Sequence, residues 1–271
     1  MSRPVISVAL LARPEWRGLP LENPAPEDSR IWPAPLQHLV LEEDLSGQRH
    51  AALMDFVAKR SSIVWAVITS PASLIAFADW MSRPDAKWIS AIARFAAVGS
   101  GTAEQMMRRG IGTRSTLTVG GDASIADART TVEMISDVLM REGASWADQS
   151  FIVVGGVGNR PTLCDALREK GAGVMMLSLY RREDLDWPER VWAQLRAHPD
   201  QTAVVVTSST VIERLMASVV THGVDPVSLT WATHHATIAA NLTAQGISAV
   251  RRVRLDVSAL SSDLFEHEQY W

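Results

Sequence analysis

Residues 149–183 constrain the fold of this chain more than any other stretch, because two apolar runs flank a glycine-rich turn and a helical pattern. The first run, residues 151–154, has no polar alternation, which is typical of a parallel strand covered on both faces. Residues 174–179 form the second run. A strand, a helix and a second strand in this order predict a βαβ crossover between parallel strands. Tyr180 comes at the end of the second strand.

The turn after the first strand contains three glycines: Gly155, Gly156 and Gly158. Glycine accepts positive φ and lets a ligand approach the backbone closely. A dinucleotide-binding fingerprint would need a further glycine at the position of Pro161, and a P-loop would need a Gly-Lys-Ser/Thr sequence that is absent here. Both nucleotide interpretations therefore fail. A ligand-binding turn and a tight turn without a ligand both stay open.

Composition and charge are those of an ordinary globular protein. Of the 271 residues, 47% are hydrophobic and 21% are charged, and the formal net charge is −4. This charge provides no basic field for nucleic acid, and no apolar run approaches the ~20 residues of a membrane span. The N-terminal apolar run leads into Arg13-Pro14 rather than a cleavage site, which predicts a first strand and not a signal peptide.

The chain has a single cysteine, Cys164, which cannot form an internal disulfide. No histidine is close to it in the sequence, and we expect it to be an inert, partly buried helix residue. A reducing cytoplasm is the compartment that fits this cysteine usage.

Apolar runs alternate with helical patterns along the rest of the chain, which predicts an α/β fold with parallel strands. The sequence ITSPAS at residues 68–73 is matched by VTSSTV at residues 206–211, and residues 97–111 resemble residues 232–247. We therefore expect two similarly built α/β halves, each with a parallel sheet. Residues 15–35 are rich in proline, and we expect them to be irregular.

Hydroxyl side chains follow a buried strand at two places, Thr69-Ser70 and Thr207-Ser208. Open parallel sheets bind ligands at the carboxyl ends of their strands. Helix N-termini at those ends offer unpaired N–H groups that suit carboxylates and phosphates. Each serine is alternatively a plain helix N-cap, and the sequence leaves both interpretations open.

Five short motifs follow one another along the chain: Thr69-Ser70, Gly99-x-x-Thr102-Ala103, a glycine-rich turn that ends in Asn159-Arg160, Tyr180-Arg181-Arg182, and Thr207-Ser208. In this order they resemble the uroporphyrinogen-III synthase family of cofactor-free enzymes in tetrapyrrole synthesis. The resemblance runs from Arg13-Pro14 to about Arg252, nearly the whole chain. The order and spacing of the motifs carry it, because each motif alone is short.

The resemblance implies two parallel-sheet α/β domains that are joined by two extended linkers, with the active site in the cleft between them. One domain would combine residues 1–35 with residues 183–271. The inserted domain would span residues 43–175. The linkers would be residues 36–42 and 176–182.

The implied reaction is closure of linear hydroxymethylbilane to uroporphyrinogen III, with inversion of the last pyrrole ring and release of water. Tyr180 matches the family's tyrosine and would donate a hydrogen bond or proton to the leaving hydroxyl, since a phenol is protonated at neutral pH. The expected substrate-binding residues are Arg13, Thr69, Ser70, Thr102, Arg160, Thr207, Ser208 and Thr237. No cofactor is expected, and we expect a cytoplasmic monomer that acts on this small molecule.

The chain departs from the family pattern in its proline-rich segment, where a helix usually follows the Arg-Pro, and at His234-His235, where a small turn residue is usual before Thr237. Adjacent histidine side chains point in different directions and no other ligand lies nearby, so we predict no metal site.

Two other classes of function compete with the enzyme. One is a non-catalytic two-domain ligand-binding or sensor protein of the same fold. The other is a serine hydrolase based on Ser208 or Ser209, which lacks the Gly-x-Ser-x-Gly elbow and an evident base.

Overall fold

The computed structural model describes residues 5–17, 29–43, 47–59, 63–83, 90–112, 116–119, 128–255 and 257–265. The chain divides into two compact units. Unit 1 contains residues 1–39 and 183–271, and unit 2 contains residues 40–182.

Unit 1 is built on a parallel sheet that has five strands among the described residues, in the order β12-β11-β10-β1-β3. The strands are β1 (Val8–Ala12), β3 (Ile31–Pro33), β10 (Thr202–Val206), β11 (Thr230–Thr233) and β12 (Val250–Arg252). The central strands β1 and β10 are almost wholly buried, as their continuous apolar sequences predict.

Helices cover this sheet: α6 (Glu189–Ala197), α7 (Ile212–Thr221), α8 (Ala236–Ala244) and α9 (Val257–Phe265). One apolar cluster includes Trp187, Trp192 and Trp231 with apolar side chains of β1 and β10. A second cluster contains Leu260 and Leu264 of α9. The two clusters account for burial on both sides of the sheet.

The prediction that residues 15–35 are irregular is wrong at two places. Residues Glu15–Trp16 form a short strand, β2, and β3 pairs in parallel with β1. The pairing includes Pro33, which lies opposite Leu11. Proline is tolerated there because β3 is the edge strand of the sheet among the described residues, where its missing N–H removes no bond to a further strand. Residues 18–28 of the segment lie outside the described residues.

Unit 2 also has a parallel sheet, with strands in the order β9-β8-β5-β6-β7. They are β5 (Ile63–Ile68), β6 (Ile92–Val98), β7 (Thr116–Val119), β8 (Gln149–Gly156) and β9 (Gly173–Asp184). The predicted strand–helix–strand unit is confirmed as β8, α5 (Thr162–Glu169) and β9. Gly171 follows α5 with φ +91°, as expected of a glycine just beyond a helix end.

The helices of unit 2 are α1 (Gln48–Ala58), α2 (Pro71–Met81), α3 (Ser100–Arg108), α4 (Ala128–Glu142) and α5. Phe151 of β8 stacks on Trp65 of β5 with ring centroids 5.6 Å apart. Leu167 and Cys164 of α5 are buried in the same cluster. Burial raises the pKa of the Cys164 thiol, whose Sγ lies 3.8 Å from Sδ of Met176.

The chain passes from one unit to the other in extended conformation both times. The first passage lies in β4 (Gln37–Leu41) and the second in β9, which continues without a break to Asp184. In unit 2 the N–H of Glu42 donates to the carbonyl of Leu179 at 2.8 Å. Among the described residues, no helix has the length and apolar character needed to cross a membrane.

Candidate active site

The carboxyl ends of neighbouring strands bring most of the predicted residues of unit 2 to one edge of its sheet. Thr69 follows β5, Gly99 follows β6, and Gly156 ends β8. Tyr180 of β9 lies directly opposite Gly156 in the parallel register. Because all of these strands run in the same direction, the glycine-rich turn is flanked by Tyr180 on one side and by Thr69 on the other.

The glycines of this turn make room for side chains. A Cβ atom on Gly156 would lie 2.8 Å from ring carbons of Tyr180, and one on Gly155 would lie 2.4 Å from Nδ2 of Asn159. Only Gly158, with φ +75°, uses the positive φ that the sequence suggested for the turn. Gly155 and Gly156 are therefore needed for close packing of Asn159 and Tyr180.

Tyr180 is held by backbone and side-chain contacts and is only 1% exposed. Its carbonyl accepts a hydrogen bond from the N–H of Val157 at 2.7 Å. Nη2 of Arg182 lies 3.4 Å from the phenol oxygen, and the guanidinium carbon lies 5.4 Å from the ring centroid. Both terminal nitrogens of Arg182 lie 3.4 Å from Oδ1 of Asn159. The phenol thus lies beside a positive charge that the turn holds in place.

The two hydroxyls after β5 have structural partners. Thr69 Oγ1 donates to the carbonyl of Val154 at 2.8 Å and lies 3.0 Å from Oγ of Ser73. Ser70 is the N-cap of α2, and its Oγ accepts from the N–H of Ser73 at 3.1 Å. The N-cap role, one of the two interpretations that the sequence left open for Ser70, is confirmed. Thr69 therefore holds the strand end and Ser70 holds the helix start, and a contact with substrate would be a second role for either residue.

Thr102 and Arg160 differ in exposure. Thr102 lies in the first turn of α3 and is 2% exposed. That helix begins after Gly99, whose φ is +87°, and it has no side-chain cap. Arg160 is exposed at the end of the glycine-rich turn and makes no ion pair or side-chain hydrogen bond with the described residues. Its guanidinium is therefore available to an anion.

Unit 1 places three of the predicted residues at the carboxyl ends of its central strands. Arg13 follows β1 and is half-buried, and Thr207 and Ser208 follow β10. The Ser208 hydroxyl lies 2.8 Å from Oγ1 of Thr210, which in turn donates to Oε1 of Gln37 at 3.2 Å. The Thr207 side chain makes no hydrogen bond within the described part of the chain. Thr207 and Thr69 occupy similar sequence motifs but differ in this respect.

The next strand end of unit 1 carries His234, His235 and Thr237. Nδ1 of His235 accepts from the N–H of Thr237 at 3.1 Å and caps α8. The carbonyl of His234 accepts from Nη2 of Arg252 at 2.8 Å. Burial, then the neighbouring His235 and Arg252, lowers the pKa of His234 to about 4. Its half-buried ring, whose Nδ1 lacks a partner among the described residues, therefore stays neutral at physiological pH.

A sequence model of the family described as Uroporphyrinogen-III synthase HemD matches residues 31–259 of the chain. The chain belongs to the uroporphyrinogen-III synthase family. Its activity is that of this family, whose members are cyclising lyases of haem biosynthesis. A comparison with curated proteins gave no match.

Two solved uroporphyrinogen-III synthases are similar in fold. The enzyme from Helicobacter pylori has 12% identity and a TM-score of 0.53, and the comparison covers 90% of this chain and 94% of that one. A mutant enzyme from Thermus thermophilus has 15% identity and a TM-score of 0.55, with 93% and 95% covered. At these identities the likeness shows the shared two-domain α/β fold.

In this member of the family, sequence reasoning missed the contacts of two residues. Arg182 and Asn159 were visible as parts of motifs, but nothing in the sequence placed Arg182 beside the Tyr180 hydroxyl or Asn159 beside the Arg182 guanidinium. The available signal was the alternation of side chains along a strand, which puts Arg182 on the same face as Tyr180 and Arg181 on the other. Arg181 accordingly pairs with Glu42 at 3.0 Å.

Proposed function

We propose that Tyr180 is the catalytic residue with which this chain closes hydroxymethylbilane to uroporphyrinogen III. Tyr180 is the only tyrosine among the described residues, and it lies at the carboxyl edge of the unit 2 sheet, where ligands of parallel sheets bind. Its phenol donates a proton to the terminal hydroxyl of the bilane. The observation that carries the proposal is the position of this phenol, against Gly156 and 3.4 Å from the Arg182 guanidinium.

The proposed reaction is balanced without a redox cofactor. The carbon–oxygen bond at the terminal hydroxymethyl group breaks, and the hydroxyl leaves as water with the phenol proton. The carbon that is freed bonds to the substituted carbon of the last ring and gives a spiro intermediate. The original bridge bond of that ring breaks and re-forms at its unsubstituted carbon. That carbon loses a proton, which restores the phenol.

The protein contributes position and charge to these steps. A folded bilane brings its two ends together, and holding it in that conformation removes much of the entropic cost of closure. Since Tyr180 is only 1% exposed, its neighbours must move aside for the substrate to reach the hydroxyl. Substrate binding and access to the phenol are therefore coupled in this proposal.

The carboxylates of the bilane are proposed to bind at the carboxyl ends of the strands. In unit 2 the candidate groups belong to Thr69, Ser70, Thr102 and Arg160. In unit 1 they belong to Arg13, Thr207, Ser208 and Thr237. The exposed Arg160 guanidinium and the Thr207 hydroxyl are the strongest candidates, because neither has a side-chain partner in the described structure. Backbone N–H groups at the starts of α2 and α3 supply further donors.

The test is the isomer ratio of the product. Hydroxymethylbilane closes without an enzyme to the type I isomer, so an excess of type III over type I measures catalysis by the protein. We expect the wild type to form type III without an added cofactor. Tyr180→Phe should reduce that rate about 100-fold or more while the protein remains folded. Type III formation at the wild-type rate by Tyr180→Phe would exclude the assigned role, and type I alone from folded wild type would exclude the activity.

We further propose that the enzyme is a cytoplasmic monomer. Cys164 is a free, buried thiol, which suits a reducing compartment. Both sets of candidate residues come from one chain, so the proposed mechanism requires no second copy. Light scattering at assay concentrations tests the monomer, and a dimer mass would contradict it.

A further inference from the structure

Arg182 is a half-buried cation without a carboxylate partner in the described structure. Its contacts are with the amide oxygen of Asn159 and with the ring and hydroxyl of Tyr180. The preceding residue of the same strand shows the usual alternative, because Arg181 forms an ion pair with Glu42. Arginines that only stabilise a fold are commonly neutralised in this way, since an uncompensated buried charge is costly.

The surroundings of Arg182 fix its direction. Asn159 accepts from both terminal nitrogens, and it can lie there because Gly155 leaves no Cβ atom in its place. The Tyr180 ring is likewise positioned against Gly156. The glycine-rich turn therefore positions the Tyr180 ring. It also positions Asn159, which holds the Arg182 guanidinium that faces the phenol oxygen.

We propose that Arg182 is the positioning residue of Tyr180, an inference that rests on the proposed function of that tyrosine. A guanidinium N–H directed at the phenol oxygen occupies one of its lone pairs and orients the hydroxyl. As the phenol proton moves to the leaving hydroxyl, negative charge develops on the same oxygen and strengthens the contact. Arg182 acts on this step through Tyr180, and Asn159 keeps the guanidinium in place.

The kinetic test separates this role from carboxylate binding. In Arg182→Gln, kcat for type III formation should fall about 10- to 100-fold, the range for a hydrogen bond to a charged group, while KM stays within about 2-fold. Arg182→Lys retains the charge without the planar fork and should lose less. Arg181→Gln is the matched control, one residue away on the other face, and should keep the wild-type kcat. A raised KM with unchanged kcat in Arg182→Gln would assign Arg182 to substrate binding and overturn the proposal.

A spectroscopic test does not depend on activity. The chain has only two tyrosines, Tyr180 and Tyr270. In protein labelled with ¹³C at tyrosine Cζ, Tyr180→Phe assigns the two signals, and the Tyr180 signal reports the hydrogen bonding of its oxygen. It should move in Arg182→Gln and stay in Arg181→Gln, whereas the Tyr270 signal should stay in both.

The outcomes distinguish the two proposals. Full activity of Tyr180→Phe would remove the proposed role of Tyr180 whatever Arg182 does. An inactive Tyr180→Phe together with an unchanged kcat and an unchanged Tyr180 signal in Arg182→Gln would overturn the inference about Arg182 alone.

Discussion

The ring of Tyr180 lies directly against the backbone of Gly156, with ring carbons 2.8 Å from where a Cβ atom would be. The two residues are opposite each other in the β8–β9 register. A glycine at this position is a condition for the observed place of the phenol. Adding one methyl group at position 156 therefore tests whether the position of the phenol matters for catalysis.

We expect Gly156→Ala to displace the Tyr180 ring, because the added methyl group meets the rigid, buried ring. The free energy of unfolding should fall by about 1–3 kcal/mol, as for overpacking of a core. Type III formation should fall at least about 10-fold, because a small displacement of a catalytic group is costly. Urea unfolding and the isomer-ratio assay measure the two effects.

Gly101→Ala is the control for that substitution. Gly101 lies in α3 without positive φ, and a Cβ atom there would have open space. Its replacement should raise the free energy of unfolding by about 0.4–1 kcal/mol. Equal losses of stability in both variants would contradict the packing argument.

Ser70→Asp separates helix capping from carboxylate binding. Aspartate is as good an N-cap as serine, so stability should be retained. A carboxylate at the start of α2 would repel the carboxylates of the bilane, and KM should rise about 5-fold, as for like charges near 4 Å in water. Steady-state kinetics and thermal unfolding provide the two measurements.

Ser145→Asp is the matched control in the same unit. Ser145 caps the short helix Trp146–Asp148 with a 3.2 Å bond to the N–H of Ala147, just before the start of β8. It therefore lies at the amino edge of the sheet, and its replacement should leave KM unchanged. A KM that is unchanged in Ser70→Asp as well would exclude a carboxylate site at α2.

Arg160→Gln should raise KM about 2- to 5-fold with little change in kcat, the effect of one exposed ion pair. Arg160 is exposed beside the glycine-rich turn. The effect should shrink as salt is raised from low to physiological concentration, since mobile ions screen exposed charges. Arg168→Gln, which breaks a 2.9 Å pair with Asp165 on α5, should leave KM as in the wild type. A KM unaffected by Arg160→Gln at low salt would remove Arg160 from the binding site.

The lowered pKa of His234 predicts a loss of stability in acid. The unfolded chain takes up the proton near the ordinary pKa of 6.5, while the folded chain takes it up only near pH 4. The unfolded state therefore binds more protons in this interval, and the free energy of unfolding should decrease as pH falls from 6.5 to about 4. Below that range this contribution should level off.

Urea unfolding between about pH 7 and pH 4 should show a smaller decrease for His234→Asn than for the wild type. His198→Gln, at an exposed histidine of the same unit, is the control and should follow the wild-type curve. Parallel curves for the wild type and His234→Asn would show that His234 contributes nothing to the acid sensitivity.

Local sequence signals predicted the elements whose causes are local. Serine followed by proline is a local signal of a helix start, and Ser70-Pro71 is where α2 begins. Continuous apolar runs indicated β5, β8 and β10, because a strand that is buried on both faces shows no polar alternation.

Features that depend on distant partners could not be predicted in this way. Strand β3 exists because Ile31 and its neighbours pair with β1, although the surrounding prolines indicate irregular structure. The roles of Gly155 and Gly156 depend on Asn159 and on Tyr180, which lies a whole helix and strand later in the chain. Glycine in a turn suggests positive φ or a ligand, and only the packing in three dimensions shows which side chain uses the space.

The discontinuity of unit 1 has a consequence for protein synthesis. Its central strands β1 and β10 pair Val8 with Thr202, so β1 leaves the ribosome long before this partner exists. Unit 2 is one continuous segment and can fold while β1 still lacks β10. Pairing over so long a sequence separation is slow to form, and apolar β1 is exposed to aggregation during that interval. Ribosomes stalled before β10 should therefore carry a protease-resistant unit 2 and a protease-sensitive N-terminus.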